Sequence, residues 1–302
     1  MPQIEFGISM RRFDNAPAEA REAEAQGFQF ITQGEHVFFY GPTTNGLIAL
    51  AAAAGATETI KLMTSITLIP LYPPALLAKQ VAALDNVSGG RFHLGVGVGG
   101  EFKKEFEACG VPVTERGVRT DESLEVMRKL WTEDEVSFKG RFTTLSGVTL
   151  TPKPTQKPHP PIWVSGRSEA AMRRTAQFGT GWLPYMYTPE QLAGSLKSID
   201  SYDFERAAPV EPGLFIFFAV HEDRERANKM AIDRLSVQYN QDFSKLVGKY
   251  ALAGNPDDCK ARLQEYVDAG ARTVVVASVC PQDYMQENQR LLAQEVLPAF
   301  RD

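Results

Sequence analysis

The feature that most constrains the fold is an alternation of short apolar segments with helix-forming segments along nearly the whole chain. Strands are predicted over residues 4–9, 28–32, 60–68, 91–98, 162–166, 181–185, 213–220 and 273–278. Helices are predicted over residues 16–27, 47–55, 73–88, 116–131, 168–179, 189–199, 223–235, 255–270 and 286–297. Strands that alternate with helices favour a parallel sheet covered on its outside. Eight such units in 302 residues predict an α/β fold of the TIM (β/α)8 barrel type.

One segment interrupts this alternation just before the fifth predicted strand. Residues 135–154 have the pattern of a hairpin, with turns at Lys139-Gly140 and Ser146-Gly147, and the proline-rich residues 151–161 favour an extended chain. We therefore expect an insertion before the fifth strand, at the barrel rim. No linker divides the chain, so residues 1–302 are expected to form one domain. Residues 243–254 are expected to be either a mobile lid or a plain connection.

Charge and cysteine content exclude several classes of protein. The net charge of −5 and the pI near 5.6 argue against a nucleic acid or an anionic membrane as partner. No apolar run reaches the roughly 20 residues of a membrane helix, and the first residues lack the pattern of a signal peptide, so we expect a cytoplasmic protein. The three cysteines are widely spaced with no CxxC pair, which predicts reduced thiols and no metal site.

The stretch "RFHLGVGVGG" at 91–100 has the spelling of a dinucleotide-binding turn, GxGxxG, with Gly95, Gly97 and Gly100. A Rossmann domain places that turn after its first strand, with an acid about 20 residues later at the end of the next strand. Here three strand and helix units come first, and the acids at the required distance, Asp121 and Glu122, fall inside a predicted helix. The sequence therefore argues against an NAD site.

Two other interpretations of these glycines remain, and both can hold at once. Gly95 and Gly97 would leave room in the barrel for large neighbours. Gly97, Gly99 and Gly100 would lie at the carboxyl end of the fourth strand, where TIM barrels place their active sites, and would let a ligand approach the backbone closely.

The stretch from "ITLIPLYPPALLAKQ" through "SGGRFHLGVGVGG" to "ERGVRTDESLEVMRKLW", together with "GEHVF" at 34–38 and "PHPPIWVSGRSEAAMRRTAQFGTGWLP" at 158–184, resembles the luciferase-like flavin and deazaflavin oxidoreductases. The chain is most similar to the branch that uses coenzyme F420, and FMN-dependent monooxygenases share much of the pattern. The resemblance implies a barrel with the cofactor ring across the carboxyl ends of the strands, hydride chemistry at that ring, and a homodimer.

The resemblance also implies roles for residues after the second and third strands. A cis peptide at Ser65–Ile66, in a bulge over Ser65, Ile66 and Thr67, would lie behind the ring; the alternative is a regular trans strand. His36 would donate a hydrogen bond or a proton beside the ring, and the alternative is a histidine that only fixes its loop. Glu35 matches the acid that precedes this histidine in the family, which is commonly the shorter Asp.

Two turns would hold the ribityl-phosphate part of the cofactor. The first is the glycine turn formed by Gly97, Val98, Gly99 and Gly100. The second is Ser165, Gly166, Arg167 and Ser168, which combines free N–H groups with a hydroxyl and a guanidinium. Ser168 is also expected to cap the following helix, and the two roles are compatible.

The remaining polar candidates have competing interpretations. Glu101 lies one residue past the position where some deazaflavin dehydrogenases have an acid, and it would otherwise complement the dipole of the next helix. His221 could meet the substrate or have only a local partner, whereas His93 is expected in the core or at the rim and His159 in a structural position.

Together these features predict a coenzyme F420-dependent oxidoreductase that transfers a hydride between the deazaflavin C5 and a small organic substrate. One alternative is an FMN-dependent monooxygenase that uses dioxygen and receives reduced flavin from a partner flavin reductase. Another alternative is a flavin-binding member of the family without turnover.

Overall fold

The computed structural model describes residues 3–11 and 13–301. The strands of this part of the chain are β1 Glu5–Ser9, β2 Phe30–Gln33, β3 Lys61–Thr64, β4 Thr67–Leu68, β5 Phe92–Gly97, β6 Val136–Lys139, β7 Thr144–Val148, β8 Ile162–Val164, β9 Gly181–Trp182, β10 Glu211–Val220, β11 Ala251–Gly254 and β12 Thr273–Ser278. The helices are α1 Ala16–Ala25, α2 Gly46–Ala54, α3 Pro74–Val87, α4 Lys103–Ala108, α5 Arg116–Thr132, α6 Glu169–Phe178, α7 Pro189–Asp200, α8 Arg224–Tyr239, α9 Val247–Tyr250, α10 Pro256–Asp268 and α11 Met285–Leu291.

Eight parallel strands close into the barrel that the alternation predicts. Their order is β12, β1, β2, β3, β5, β8, β9 and β10, and pairing of β10 with β12 closes the ring. The helices surround this barrel, which is a TIM barrel. The hairpin of β6 and β7 lies between α5 and β8, so the insertion before the fifth barrel strand is confirmed. No helix among the described residues is both long and apolar enough to cross a membrane.

Most differences from the predicted elements concern short segments. The six-residue helix α4 was not predicted. Residues 243–254, predicted as a lid or a connection, contain α9 and the strand β11, which pairs with the carboxyl half of β10. The last helix changes at Leu292–Val296 from α to π geometry. These elements are too short to show a periodic pattern in the sequence.

The third barrel strand is interrupted, as the resemblance implies. A cis peptide at Ser65–Ile66 separates β3 from β4, and both parts pair with β5. Gly95 and Gly97 make room for this bulge: a Cβ atom on Gly95 would lie 1.8 Å from the Thr64 carbonyl oxygen, and one on Gly97 would lie 1.8 Å from Ile66 Cδ1. The packing interpretation of these two glycines is therefore confirmed.

The amino end of the barrel is held by two charged side chains. The guanidinium of Arg91 donates to the carbonyl oxygens of Ala54, Thr57, Ile60 and Ser88 and to the Thr57 hydroxyl. Glu24, on α1, accepts hydrogen bonds from the backbone N–H groups of residues 58–60 and from the Thr59 hydroxyl. Both side chains thus fix the chain that enters β3.

Replacing Glu24 with glutamine should lower the free energy of unfolding by about 1–3 kcal/mol at pH 7, because the oxygen that accepts these four hydrogen bonds loses its charge. Burial opposes the charge on Glu24, but the hydrogen bonds from residues 58–60 outweigh it and lower its pKa to about 2. A lowered pKa in the folded state stabilises the protein above the ordinary pKa of about 4.5, and this stabilisation disappears as the pH falls towards 2. Urea denaturation measures the free energy of unfolding of E24Q and of the parent, and the difference between them should be smaller at pH 3 than at pH 7. E125Q, at an exposed position of α5, is the control and should leave the free energy of unfolding unchanged at both pH values.

Candidate active site

A cavity of about 560 Å³ opens at the carboxyl ends of the barrel strands. Residues at or after the ends of β1, β2, β3, β5, β8, β9 and β12 line it, and α8 adds one side. Its volume is typical of pockets for small molecules and cofactors, and its position is that of TIM-barrel active sites.

Ten of the thirteen site residues predicted from the sequence line this cavity. They are Glu35, His36, Ser65, Ile66, Gly97, Val98, Gly99, Ser165, Gly166 and Arg167. Thr67, Gly100 and Ser168 do not line it: Thr67 is fully buried, Gly100 packs beside Arg116, and the Ser168 hydroxyl caps α6 by accepting from Ala171 N. The catalytic roles expected of Glu35 and His36 and the cofactor contacts expected of the other eleven residues stay predictions.

His36 lies in the loop after β2, and its ring is fixed from two sides. Nδ1 lies 3.2 Å from each carboxyl oxygen of Glu105, which is fully buried on α4. One face of the imidazole stacks on Phe39, with 4.2 Å between ring centroids. The His36 side chain is 20% exposed and lines the cavity. Because Nδ1 is engaged with Glu105, Nε2 is the ring nitrogen left for a ligand.

Glu35 is also buried, but its carboxyl group connects three segments of the chain through hydrogen bonds. One oxygen accepts from Leu68 N at 3.0 Å. The other accepts from the Tyr72 hydroxyl at 2.9 Å, from Asn45 Nδ2 at 3.2 Å and from Gly46 N at 3.4 Å. Burial raises the pKa of Glu35, and these hydrogen bonds oppose that rise. The arrangement holds the β2 loop, the start of α2 and β4 together, so Glu35 supports the cavity wall.

Across the cavity, Glu101 accepts a hydrogen bond from the Tyr185 hydroxyl. Glu101 precedes α4 rather than lying in its first turn, so the prediction that it complements the helix dipole as a first-turn acid is wrong. The guanidinium of Arg167 lies 5.4 Å from the Tyr185 ring centre. Burial and the charge of Glu101 raise the pKa of Tyr185, so its phenol stays a neutral donor. Burial and Glu101 likewise raise the pKa of Tyr239, at the end of α8.

The turn between β8 and α6 has the free donors of an anion site. Ser165 N donates to the Val96 carbonyl, whereas no acceptor within residues 3–11 and 13–301 contacts the backbone N–H of Gly166 or Arg167. Gly166 has a φ of +125°, and a Cβ there would lie 2.8 Å from that of Ala171, so glycine is required. Both residues line the cavity just before a ten-residue helix, a place that suits a phosphate.

The other walls are largely apolar and aromatic. They are formed by Phe39, Tyr40, Leu183, Phe215, Phe217, Val279 and Met285. Gln33 also lines the cavity, and its buried Oε1 has no hydrogen-bond partner among the described residues. A planar ligand with a polar edge would bury apolar surface here and supply a donor for that oxygen.

The other histidines lie elsewhere. His93 is inside the barrel and accepts from Trp163 Nε1 at 3.0 Å, and burial lowers its pKa to about 3, which confirms a core histidine. Nδ1 of His159 forms a hydrogen bond with the adjacent carbonyl oxygen of Pro160. His221 lies outside the cavity lining, and its Nδ1 accepts from Asp223 N, which is a local partner.

The sequence did not single out Glu105 or Tyr185. Glu105 lies in "KKEFEA", where the charged residues look like a solvated surface, and Tyr185 lies in a segment predicted as strand. The available signal for Glu105 was weak: it is directly followed by Phe106, an apolar residue that is buried on the same short helix.

Comparison with known families gives a match to one family model, described as luciferase-like monooxygenase, over residues 5–273. Among curated relatives, the FMNH(2)-dependent dimethylsulfone monooxygenase of Pseudomonas putida is 34% identical over 217 residues, which cover 69% of this chain and 58% of the relative. An uncharacterized protein of Mycobacterium tuberculosis is 36% identical over 62% of this chain and 63% of its own length. The chain thus spans about three fifths of the length of these relatives.

Solved structures with the same fold include a monooxygenase and an F420-dependent dehydrogenase. The monooxygenase RslO1 from Streptomyces bottropensis has a TM-score of 0.85 at 26% identity, covering 98% of this chain and all of that chain. An F420-dependent secondary alcohol dehydrogenase in complex with an F420-acetone adduct has a TM-score of 0.85 at 22% identity, covering 99% of this chain and all of that chain. The second likeness shows the fold alone.

Proposed function

Because the chain belongs to the luciferase-like monooxygenase family, whose members are flavin- or F420-dependent enzymes, we propose that it is a coenzyme F420-dependent oxidoreductase acting on a small organic substrate. The observation that carries the proposal is His36, held by a buried carboxyl group at the edge of a ligand-sized cavity. A hydride reaction of an alcohol or a carbonyl compound needs such a group, because a proton moves with the hydride.

The residues around the cavity fit a flavin-type cofactor. Ser65, Ile66 and the glycine turn at 97–99 would lie along its ring and ribityl chain, and the free amides of Gly166 and Arg167 would bind its phosphate. Gln33 Oε1, buried without a partner, would accept a hydrogen bond from a polar ring edge. Coenzyme F420, when bound, supplies or takes up the hydride at ring carbon C5.

The protein's own part in this chemistry is to position the reactants and to move the proton. Oxidation of a carbinol removes a hydride from carbon and a proton from the hydroxyl oxygen, and Nε2 of His36 would take that proton. In the reverse direction the same nitrogen would return it to the carbonyl oxygen. The aromatic walls, with Phe39, Phe215 and Phe217, would bind the apolar part of the substrate and exclude water.

A second candidate is an FMN-dependent monooxygenase that receives reduced flavin from a partner reductase. The relative from Pseudomonas putida favours it, because that protein carries the description FMNH(2)-dependent and is 34% identical to this chain. The free amides of Gly166 and Arg167 suit either phosphate, so the geometry of this turn does not separate the two cofactors.

Titration of the purified protein with F420 and with FMN, each followed by fluorescence, separates these functions. We expect F420 to bind at micromolar concentrations or tighter and oxidised FMN to bind at least about tenfold more weakly, which is a difference of 1.4 kcal/mol. A panel of primary and secondary alcohols should then contain one that reduces bound F420. Tight FMN binding without F420 binding would contradict the proposal and support the monooxygenase. Binding of F420 without turnover across the panel would favour a cofactor-binding protein.

A further inference from the structure

We propose that Glu105 is a positioning residue for His36: it keeps the proton on Nδ1 and leaves Nε2 as the nitrogen that exchanges a proton with a bound ligand. The effect of Glu105 on the reaction rate rests on the proposed function, whereas its effect on the protonation of the His36 ring does not. Nothing in the sequence marked Glu105 for such a role.

The first argument is the geometry of the pair. Nδ1 of His36 is 3.2 Å from both carboxyl oxygens, as expected for a ring N–H shared between two acceptors. The backbone N–H of Val37 donates to Oε2 of the same group at 3.2 Å. Glu105 therefore receives donors from two consecutive residues of the β2 loop, which sets both the position and the rotation of the imidazole.

The second argument is the burial of Glu105. Its side chain is fully buried, and no lysine or arginine among the described residues forms an ion pair with it. A buried carboxyl group without a cation is unfavourable unless hydrogen bonds satisfy it. The donors present are the His36 ring and the Val37 amide, so the imidazole is the one titratable group that satisfies this acid.

The third argument is that the remaining freedom of the ring is also removed. Phe39 stacks on the imidazole with an angle of 18° between the planes. The Thr43 hydroxyl donates to the His36 carbonyl oxygen at 2.9 Å, which fixes the backbone of the loop. These contacts oppose a rotation of the ring that would exchange Nδ1 for Nε2, and the tautomer is set by the partner of Nδ1.

The chemical consequence concerns the direction in which the proton moves. In an alcohol oxidation the O–H bond breaks, its proton goes to Nε2, the hydride leaves the carbon for the cofactor, and a C=O bond forms. The positive charge that develops on the imidazole lies against Glu105, which stabilises it. Without Glu105 the neutral ring could carry its proton on Nε2, and that form cannot accept a proton from the substrate.

The test uses protein labelled with ¹⁵N at histidine and long-range ¹H–¹⁵N NMR, which reports the protonation of each ring nitrogen. The chain has four histidines, so H36A assigns the signals of His36. We expect the neutral ring of His36 to carry its proton on Nδ1 and to leave Nε2 unprotonated. An Nε2–H tautomer in the parent protein would overturn the proposal without any variant of Glu105.

The variant E105Q keeps the shape and one acceptor for the Val37 amide but removes the carboxylate. We expect the His36 signals to shift towards a mixture of tautomers, and E107Q, at an exposed position of the same helix, to leave them unchanged. An unaltered His36 tautomer in E105Q would overturn the proposal. If E105Q does not fold, the tautomer observed in the parent protein still decides.

The kinetic arm depends on an alcohol found by the screen. E105Q should lower kcat about 10- to 100-fold with little change in the Kd for F420, and E105Q combined with H36A should be no slower than H36A alone, because the two residues act as a unit. Absence of F420 binding would contradict the proposed function but leave the NMR result intact, whereas full activity of E105Q with F420 bound would contradict only the role of Glu105.

Discussion

Replacing His36 with alanine is expected to lower kcat by about 10²- to 10⁴-fold, because the group that accepts and returns the substrate proton is removed. The side chain lines the cavity and is not part of the barrel core, so the variant should fold and bind cofactor, with a lower stability because buried Glu105 keeps only the Val37 amide as a donor among the described residues. The measurement is the single-turnover rate of F420 reduction by the alcohol identified in the screen, with cofactor affinity measured in parallel.

H221A is the matched control for this experiment. His221 also follows the carboxyl end of a barrel strand, but it has a local backbone partner and lies outside the cavity lining. Its replacement should leave the rate within about twofold of the parent. An H36A rate equal to that of H221A would remove His36 from the reaction and leave it a loop residue.

Replacing Gly95 with alanine should destabilise the protein by about 3 kcal/mol or more, since the new methyl group meets backbone rather than a movable side chain. Gly95 and Thr64 are drawn together by two hydrogen bonds, from Gly95 N to the Thr64 hydroxyl at 2.9 Å and from that hydroxyl to the Gly95 carbonyl at 2.8 Å. The Cβ atom would lie 1.8 Å from the Thr64 carbonyl oxygen. Thermal and urea denaturation should show the loss, or the variant should fail to accumulate as folded protein.

Two other glycines serve as comparisons. G194A, at an exposed position of α7 with no atom within 4 Å of the new Cβ, should raise stability by about 0.5–1 kcal/mol. G97A meets only the flexible end of Ile66, so it should fold but displace Ile66 and weaken cofactor binding. A G95A variant as stable as G194A would show that the two strands separate more easily than their hydrogen bonds suggest.

The barrel could be predicted from the sequence because the pattern of an apolar strand followed by a helix occurs eight times. Long apolar strands such as β10, and helices with clear ends such as α10, where Asn255 caps and Pro256 follows, each have a local signal. The short elements α4 and β11 carry no such signal, since their residues become ordered by contacts made with distant parts of the chain. β11, for example, exists by pairing with β10.

The site was predicted less completely than the fold, for a related reason. His36 and the turn at 165–168 lie next to strand ends, so their position follows from the topology. The position of Glu105, the partner of His36, does not follow from the topology. Glu105 is 69 residues away and contacts the ring from a helix that the sequence does not predict. The same holds for Tyr185 and Glu101, which are 84 residues apart. Pairs of this kind depend on tertiary structure alone.

The hydrogen bonds that Glu24 and Arg91 form at the amino end of the barrel, called clamps below, have a consequence for which parts of the sequence can vary. They lie at the opposite end from the cavity, and their partners are mainly backbone groups of residues 54–60 and Ser88, which do not line it. Substitutions in the loops that bear Phe39, Tyr40 and Tyr185 leave these clamps intact. Substrate preference can therefore diverge, by mutation or by design, while the closed end of the barrel maintains the fold.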